Sequence, residues 1–477
     1  MVRRTRLAAL LTLAMINVVT LAAGIAVARM LPPRLAALRV PTVAPGTVSG
    51  GDAVLRTATQ DAPLPTANGL RKVLDGPLNA AALGPQVALL VADPVTGQVL
   101  LSQHASQPMT PASTNKLATG LAALAVLGGD ARFTTKVVRG TSKNSIVLVG
   151  GGDPTLAVNK YPAGDYPQPA TLASLAASTA RALKARGLSG ITLGYDTSLY
   201  SGPGLAPGWS ADYVSGGDVT PIVSLEVDQG RLTAAGRPED SDDPYNLNPR
   251  ATDPAAMAAA SFAALLDADG IHVKGAPVQE RAPVDSAAPI ASVSSPPLSA
   301  IVQQMLQESN NVIAENLARH VALATGQPAS FAGAARAVIT ELRRLGIATP
   351  ISLVDGSGLS PQDAIAPETL VKILELAVAR PRLRPLLAGL PVAGFSGTLS
   401  AGQSVFAGIG GAALGSVRAK TGNLGTVASL AGLAHDASGA VLVFAVMADR
   451  IPSAGLLQEA ANAIDAAASA LAGCGCG

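Results

Sequence analysis

Two cysteines in 477 residues, both in the closing GCGCG, and four histidines leave little for disulfide staples or a zinc centre. No HExxH-type spacing joins His104, His272, His320 and His435, so no metal and no cofactor are expected. Cys474 and Cys476 read as part of a frayed tail. Aromatic residues make up only 3%, with Trp209 the single tryptophan, read as a packing anchor rather than a ligand contact. An excess of one charge is missing too. Against 34 basic residues stand 32 acidic ones, and no basic stripe interleaves with aromatics, so the electrostatic footprint of a nucleic-acid binder is absent. No G-x-S-x-G elbow supplies an α/β-hydrolase serine, GGGDP is not followed by the G-K-[ST] of a phosphate loop, and no repeat of solenoid length occurs.

What is abundant is alanine, valine and leucine, the material of an ordinary packed core. The length exceeds what one core usually holds, so two domains with appendages are expected. Arg3, Arg4 and Arg6 precede 22 uncharged residues, closed by Arg29. Such a run is long enough for a hydrocarbon core of roughly 30 Å, and the basic cluster places the N-terminus inside and the remainder outside. Residues 1–28 are therefore expected to be a signal peptide or membrane anchor, with Ala26 and Ala28 forming an A-x-A pattern, and the rest of the chain to be extracytoplasmic. Residues 29–66, rich in Pro, Thr and Ala, read as a linker.

A helical pattern near Gly69 is followed by QVALLVAD, the turn PVTG and QVLLSQHA, which form a hairpin, and then by the almost wholly apolar helix KLATGLAALAVLG. From 131 to 290 strands (FTTKVVRG, SIVLVGGG, ITLGYD, APVQERAP) alternate with alanine-rich helices, which reads as an inserted α/β region. Longer helices then return, and the strands SVRAKTG, TVASLAGLAHD and AVLVFAVMAD precede a last helix. The expected fold is α+β: one antiparallel sheet drawing strands from both chain ends, flanked by helices. Residues 67–130 and 291–477 would make one domain, and 131–290 the insertion.

Three short stretches carry chemistry. Ser113 and Lys116, three apart at a helix opening, share a face, so the amine can sit beside the hydroxyl. To act as a base the lysine must be neutral, a fall of roughly 3 units from about 10.4, or about 4 kcal/mol of environment; an apolar helix and a second positive charge could supply it. Ser309 and Asn311, in ESNN between two helical patterns, can both face a cleft. A second S-x-N, Ser142 to Asn144, sits where turn chemistry alone explains it. Lys420, Thr421 and Gly422 lie within apolar strand residues, and a strand glycine suggests close approach to the backbone. There are only nine lysines in the chain, so two of them in such settings is informative.

In this order, S-x-x-K, S-x-N and K-T-G resemble the penicillin-recognising serine enzymes. PASTNKL, GGGDPTL, APGW, DGSGLS, GTLS and RAKTG narrow the resemblance to the D-alanyl-D-alanine carboxypeptidase/endopeptidase family of the penicillin-binding protein 4 type (peptidase family S13), over roughly residues 70–470. That family has a large insertion between its first two motifs, and here 192 residues separate Lys116 from Ser309. The resemblance implies an antiparallel sheet of the β-lactamase/transpeptidase kind. It implies Ser113 as acylated nucleophile, Lys116 as base, Ser309 as proton relay, Asn311 as an amide contact, and Lys420 and Thr421 as partners of the substrate carboxylate. Gly422 would let the acyl chain pass close to the strand, and the backbone N–H groups of Ser113 and Asn423 would form the oxyanion hole. Asn423 departs from the Thr or Ser usual at that position. The implied partners are peptidoglycan stem peptides ending in D-Ala-D-Ala, β-lactam antibiotics and, through the N-terminal segment, a bacterial membrane. The resemblance leaves D,D-endopeptidase cleavage of cross-links open beside carboxypeptidase activity, and a β-lactamase and a wall-binding protein without turnover are the alternative readings.

Overall fold

In the computed structural model, which describes residues 62–233, 248–284, 288–401, 404, 406 and 411–477, the chain enters through an amphipathic helix, α1 (Ala67–Leu78). The Thr66 hydroxyl caps it by accepting from the Gly69 N–H, and Leu70 and Leu74 are its buried residues. The expected N-terminal span and most of the linker lie outside the described residues. Among the described residues no helix is long and apolar enough to cross a membrane.

The expected hairpin is present as β1 (Val87–Ala92) and β2 (Val99–Gln103), turned by Asp93, whose carboxylate accepts from the N–H groups of Val95 and Thr96. A 3₁₀ turn, Ala112–Asn115, then leads into α2 (Lys116–Leu127), whose first nine residues are all buried. A helix with no polar face belongs at the centre of a core.

The next stretch builds a sheet of its own from β3 (Thr134–Arg139), β4 (Ser145–Val149), β5 (Gly190–Asp196), β6 (His272–Val273), β7 (Val278–Gln279) and β8 (Ala291–Ser294). Its order is β6-β5-β4-β3-β8, with β7 also against β5; β3 pairs antiparallel with β4 and β8, while β5 pairs in parallel with its neighbours. Helices α3 (Leu172–Lys184) and α4 (Pro254–Ala268) share a core with it around Leu175, Ile191 and Phe262. The strand expected at APVQERAP is cut to two residues, because Pro277 and Pro283 bring no N–H to a ladder. Ser142 to Asn144 lies in the β3–β4 turn, as its turn chemistry suggested. β8 lies just past residue 290, so the second sheet runs slightly beyond the expected insertion border.

The chain returns through α5 (Leu298–Gln307), α6 (Asn311–Ala324), α7 (Phe331–Arg344), a short pair β9 (Ile351–Ser352) and β10 (Ala364–Ile365), and α8 (Pro367–Ala379). It ends in β11 (Val417–Leu424), β12 (Val427–His435), β13 (Val441–Ala448) and α9 (Leu457–Ala472). The main sheet has the order β11-β12-β13-β1-β2, antiparallel throughout, and so joins the two ends of the chain as expected. Both faces are covered, which explains the unbroken apolar run of β13. Leu442, Phe444 and Val446 face α1 and α9, while Val443, Ala445 and Met447 face the layer built around α2.

The C-terminal tail is not frayed. Ala437 donates its N–H to the Cys474 carbonyl, Thr66 donates to that of Cys476, Cys474 is buried, and the two sulfurs are paired. Contacts with residues so distant in the chain leave no local trace in the sequence.

Candidate active site

β11 is the edge strand of the main sheet, and its far side is partly occupied. Ala393 N–H donates to the Val417 carbonyl and Ala419 N–H to that of Pro391, so the covering segment stops short of Lys420–Asn423. Beside that stretch sits the 3₁₀ turn that carries Ser113. The two are packed so closely that a β-carbon on Gly422 would lie 2.6 Å from the Pro111 oxygen and 3.0 Å from the Thr114 nitrogen. What requires glycine there is the protein's own turn, a constraint beyond any passage of an acyl chain. Ser429 on β12 fastens the same junction, donating to the Pro111 carbonyl at 2.7 Å.

Ser113 lies on 3₁₀ backbone, one step ahead of the α-helix where the spacing seemed to place it. The difference favours the contact, because three residues per turn stack i directly over i+3. Lys116 Nζ is 2.8 Å from Ser113 Oγ, 2.7 Å from Asn311 Oδ1 and 2.8 Å from the Ser357 carbonyl. Asn311 opens α6, which Asn310 caps by accepting from the Ile313 N–H. Ser309 precedes it in a left-handed conformation, φ 56°, and accepts at 2.9 Å from Nζ of Lys420, which also donates to the Thr421 carbonyl. All three motifs thus meet at one place. Ser113, Ser309, Thr421 and Asn423 line a single cleft of about 220 Å³, and Asn423 is exposed at its rim.

Both lysines are fully buried. Burial drives the Lys116 amine down to about 7, against the opposing pull of Asp355, Glu315 and Asp363. Lys420 is held well below the usual lysine range, first by burial and then by the charge of Lys116. Desolvation, more than a second positive charge, therefore makes a neutral amine available at Lys116, and the two ammonium groups disfavour one another. Burial likewise raises Glu315 to about 8 and Asp363 to about 10.

Sequence reasoning gave no role to several residues that the fold brings here. Thr398, in the GTLS stretch, lies in the cleft with its hydroxyl 2.8 Å from that of Thr421. The DGSGLS stretch lies against Lys116, whose amine donates to the Ser357 carbonyl: Ser357 and Gly358 donate N–H to Asp355 Oδ1, while Ser360 N–H and the Trp209 indole donate to Oδ2. Glu315 on α6 accepts from the N–H groups of Gly356 and Ser357. Trp209 acts as an anchor, its ring edge-on to Phe331 at 5.3 Å and its N–H on the Asp355 carboxylate. Among the described residues no group of three His, Cys, Asp or Glu could hold a metal ion.

Comparison with known proteins agrees with this geometry. The family model for the D-Ala-D-Ala carboxypeptidase 3 (S13) family matches residues 70–248 and 231–471. Carboxypeptidase DacB of Mycolicibacterium smegmatis is 40% identical over 87% of this chain and 86% of its own length. A carboxypeptidase of Mycobacterium tuberculosis is 36% identical over 92% and 89%. In fold, the crystal structure of penicillin binding protein 4 from Haemophilus influenzae superposes with a TM-score of 0.66 over 84% of this chain and 99% of that one, at 23% identity. With a matching family model over most of its length and close relatives within it, the chain belongs to the D-Ala-D-Ala carboxypeptidase 3 (S13) family.

Proposed function

We propose that the protein is a serine D-alanyl-D-alanine carboxypeptidase that acts on peptidoglycan stem peptides through an acyl-enzyme at Ser113 and is acylated there by penicillins. The observation that carries this reading is the 2.8 Å contact between Ser113 Oγ and a buried Lys116 amine lowered to about 7. Neutral Lys116 takes the Ser113 proton, and Oγ attacks the carbonyl carbon of the penultimate D-alanine. The N–H groups of Ser113 and Asn423 hold the oxyanion. Collapse breaks the peptide bond, and the proton taken from Ser113 passes from Lys116 by way of Ser309, which Lys420 supports from 2.9 Å, to the departing D-alanine nitrogen, leaving Lys116 neutral. Water then attacks the ester with Lys116 again as base, releasing the shortened peptide and restoring Ser113. Asn311 holds the substrate amide, and Lys420 with Thr421 favours the terminal carboxylate.

On this reading residues 67–130 and 291–477 are the penicillin-binding part and 131–290 the insertion, apart from β8 (Ala291–Ser294), which pairs with β3 of the insertion's sheet. Extracytoplasmic action with residues 1–28 as signal peptide or anchor fits such a substrate. Release of D-alanine from a peptide ending in D-Ala-D-Ala tests the proposal, with Ser113→Ala as control. Release that depends on Ser113 is the expected result; release that survives the substitution, or none from the folded wild type, contradicts it.

A further inference from the structure

Among the described residues five other than glycine have positive φ, and three of them flank one contact: Asp228 (48°) and Gln229 (55°) on one side, and Ser309 (56°), next in the chain to Asn310, on the other. Left-handed backbone is unfavourable for an ordinary residue, so such a concentration persists only where surrounding contacts enforce it. The contact joins the insertion to the second motif. Gln229 Oε1 accepts from Asn310 Nδ2 at 2.5 Å, and both residues are buried. Asn310 stands between Ser309 and Asn311. Its Oδ1 is committed to the cap of α6 and its Nδ2 also reaches Glu308 Oε2 at 3.1 Å, so the orientation of its amide is settled by these partners.

One residue further on, a second strut from the insertion orients Asn311. Asn311 Nδ2 donates to the Asp218 carbonyl at 3.0 Å. A backbone carbonyl can only accept, so the amide must turn its NH₂ towards Asp218 and its oxygen towards Lys116. The two struts are tied together by Arg250, buried, whose Nε donates to the Gly217 carbonyl at 2.8 Å and whose Nη1 donates to that of Gln229 at 3.2 Å.

We propose that Gln229, secured by Arg250, is a positioning residue for the second motif: the insertion supplies the frame that sets Ser309 and Asn311 against Lys420 and Lys116. The proposal rests on the reading of those four residues as active-site groups. It gives the insertion a part in the chemistry, distinct from a wall-docking accessory. An apolar packing contact would have joined the two parts equally well, whereas buried amides on strained backbone fix direction as well as distance.

The test is the second-order rate of acylation by a fluorescent penicillin, with the Tm, for the full chain and for Gln229→Met and Arg250→Lys. Gln229→Met keeps the length and removes the acceptor, so acylation is expected to slow by roughly 3- to 10-fold, the weight of one hydrogen bond, in protein that is still folded. Arg250→Lys, which cannot bridge both carbonyls, is expected to slow it in the same direction. A fall in Tm with an unchanged acylation rate well below that Tm overturns the proposal, and Arg250→Lys decides if Gln229→Met does not fold. Wild-type protein that takes no label would instead overturn the reading of Ser113 itself, so the two failures are distinct.

Discussion

Lys116 Nζ and Asn311 Oδ1, 195 positions apart in the chain, stand 2.7 Å apart in the fold. The helix that carries the lysine has no exposed face over its first nine residues, and the helix that carries the asparagine packs beside it in the same core. Burial of those helices brings the motifs together and also desolvates the amine. Folding and the desolvation of the Lys116 amine are, at this site, the same event.

A pH dependence follows. Lys116 is a base only when neutral, and burial brings it down to about 7 from an ordinary 10.5. Acylation kcat/KM should therefore rise with pH through an apparent pKa of about 7 and level off above it. The stability contribution has the same direction. Between about 7 and 10.5 the unfolded chain holds the lysine proton that the folded chain has released, so stability gains with rising pH across that window, and charging the buried amine below about 7 is unfavourable. A pH–rate profile checks the first statement; a flat profile from about pH 5.5 to about 8.5, on both sides of the titration, would contradict it.

Gly422→Ala would place a methyl 2.6 Å from the Pro111 oxygen and 3.0 Å from the Thr114 nitrogen, both backbone atoms that cannot swing aside. The turn bearing Ser113 must then shift against β11. A displacement of about 1 Å at a reacting group costs on the order of 100-fold, so acylation should fall by that order in folded protein. Retention within about twofold would show that the close approach has no bearing on catalysis.

Trp209→Phe keeps an aromatic edge against Phe331 and removes the indole donor to Asp355 Oδ2. The Asp355 oxygen retains Ser360 N–H. The expected loss is about 1–3 kcal/mol of stability, read as a lower urea midpoint with an unchanged slope. An unmoved midpoint would deny Trp209 its anchoring role.

The sequence made the frame of this site readable because its strongest signals are local. An unbroken apolar helix after Lys116, hairpins at both ends of the chain and three short motifs each speak through near neighbours. Residues whose roles depend on distant partners stayed silent. Thr398 and Trp209 stood in stretches noted for their family likeness, yet nothing nearby in sequence shows that one would meet Thr421 and the other Asp355. Gln229 and Arg250 gave no signal, since their partners are backbone carbonyls and a capping asparagine. The docked tail reads as frayed in sequence for the same reason: one of its anchors is Thr66, at the opposite end of the described chain.

The most direct test is the intact mass of the purified protein, without its first 61 residues so that Thr66 keeps its contacts, before and after penicillin and over the following hours. The account predicts a single, persistent penicilloyl adduct on Ser113 that is absent from Ser113→Ala. No adduct, one that clears within seconds, or one that survives the substitution would contradict it.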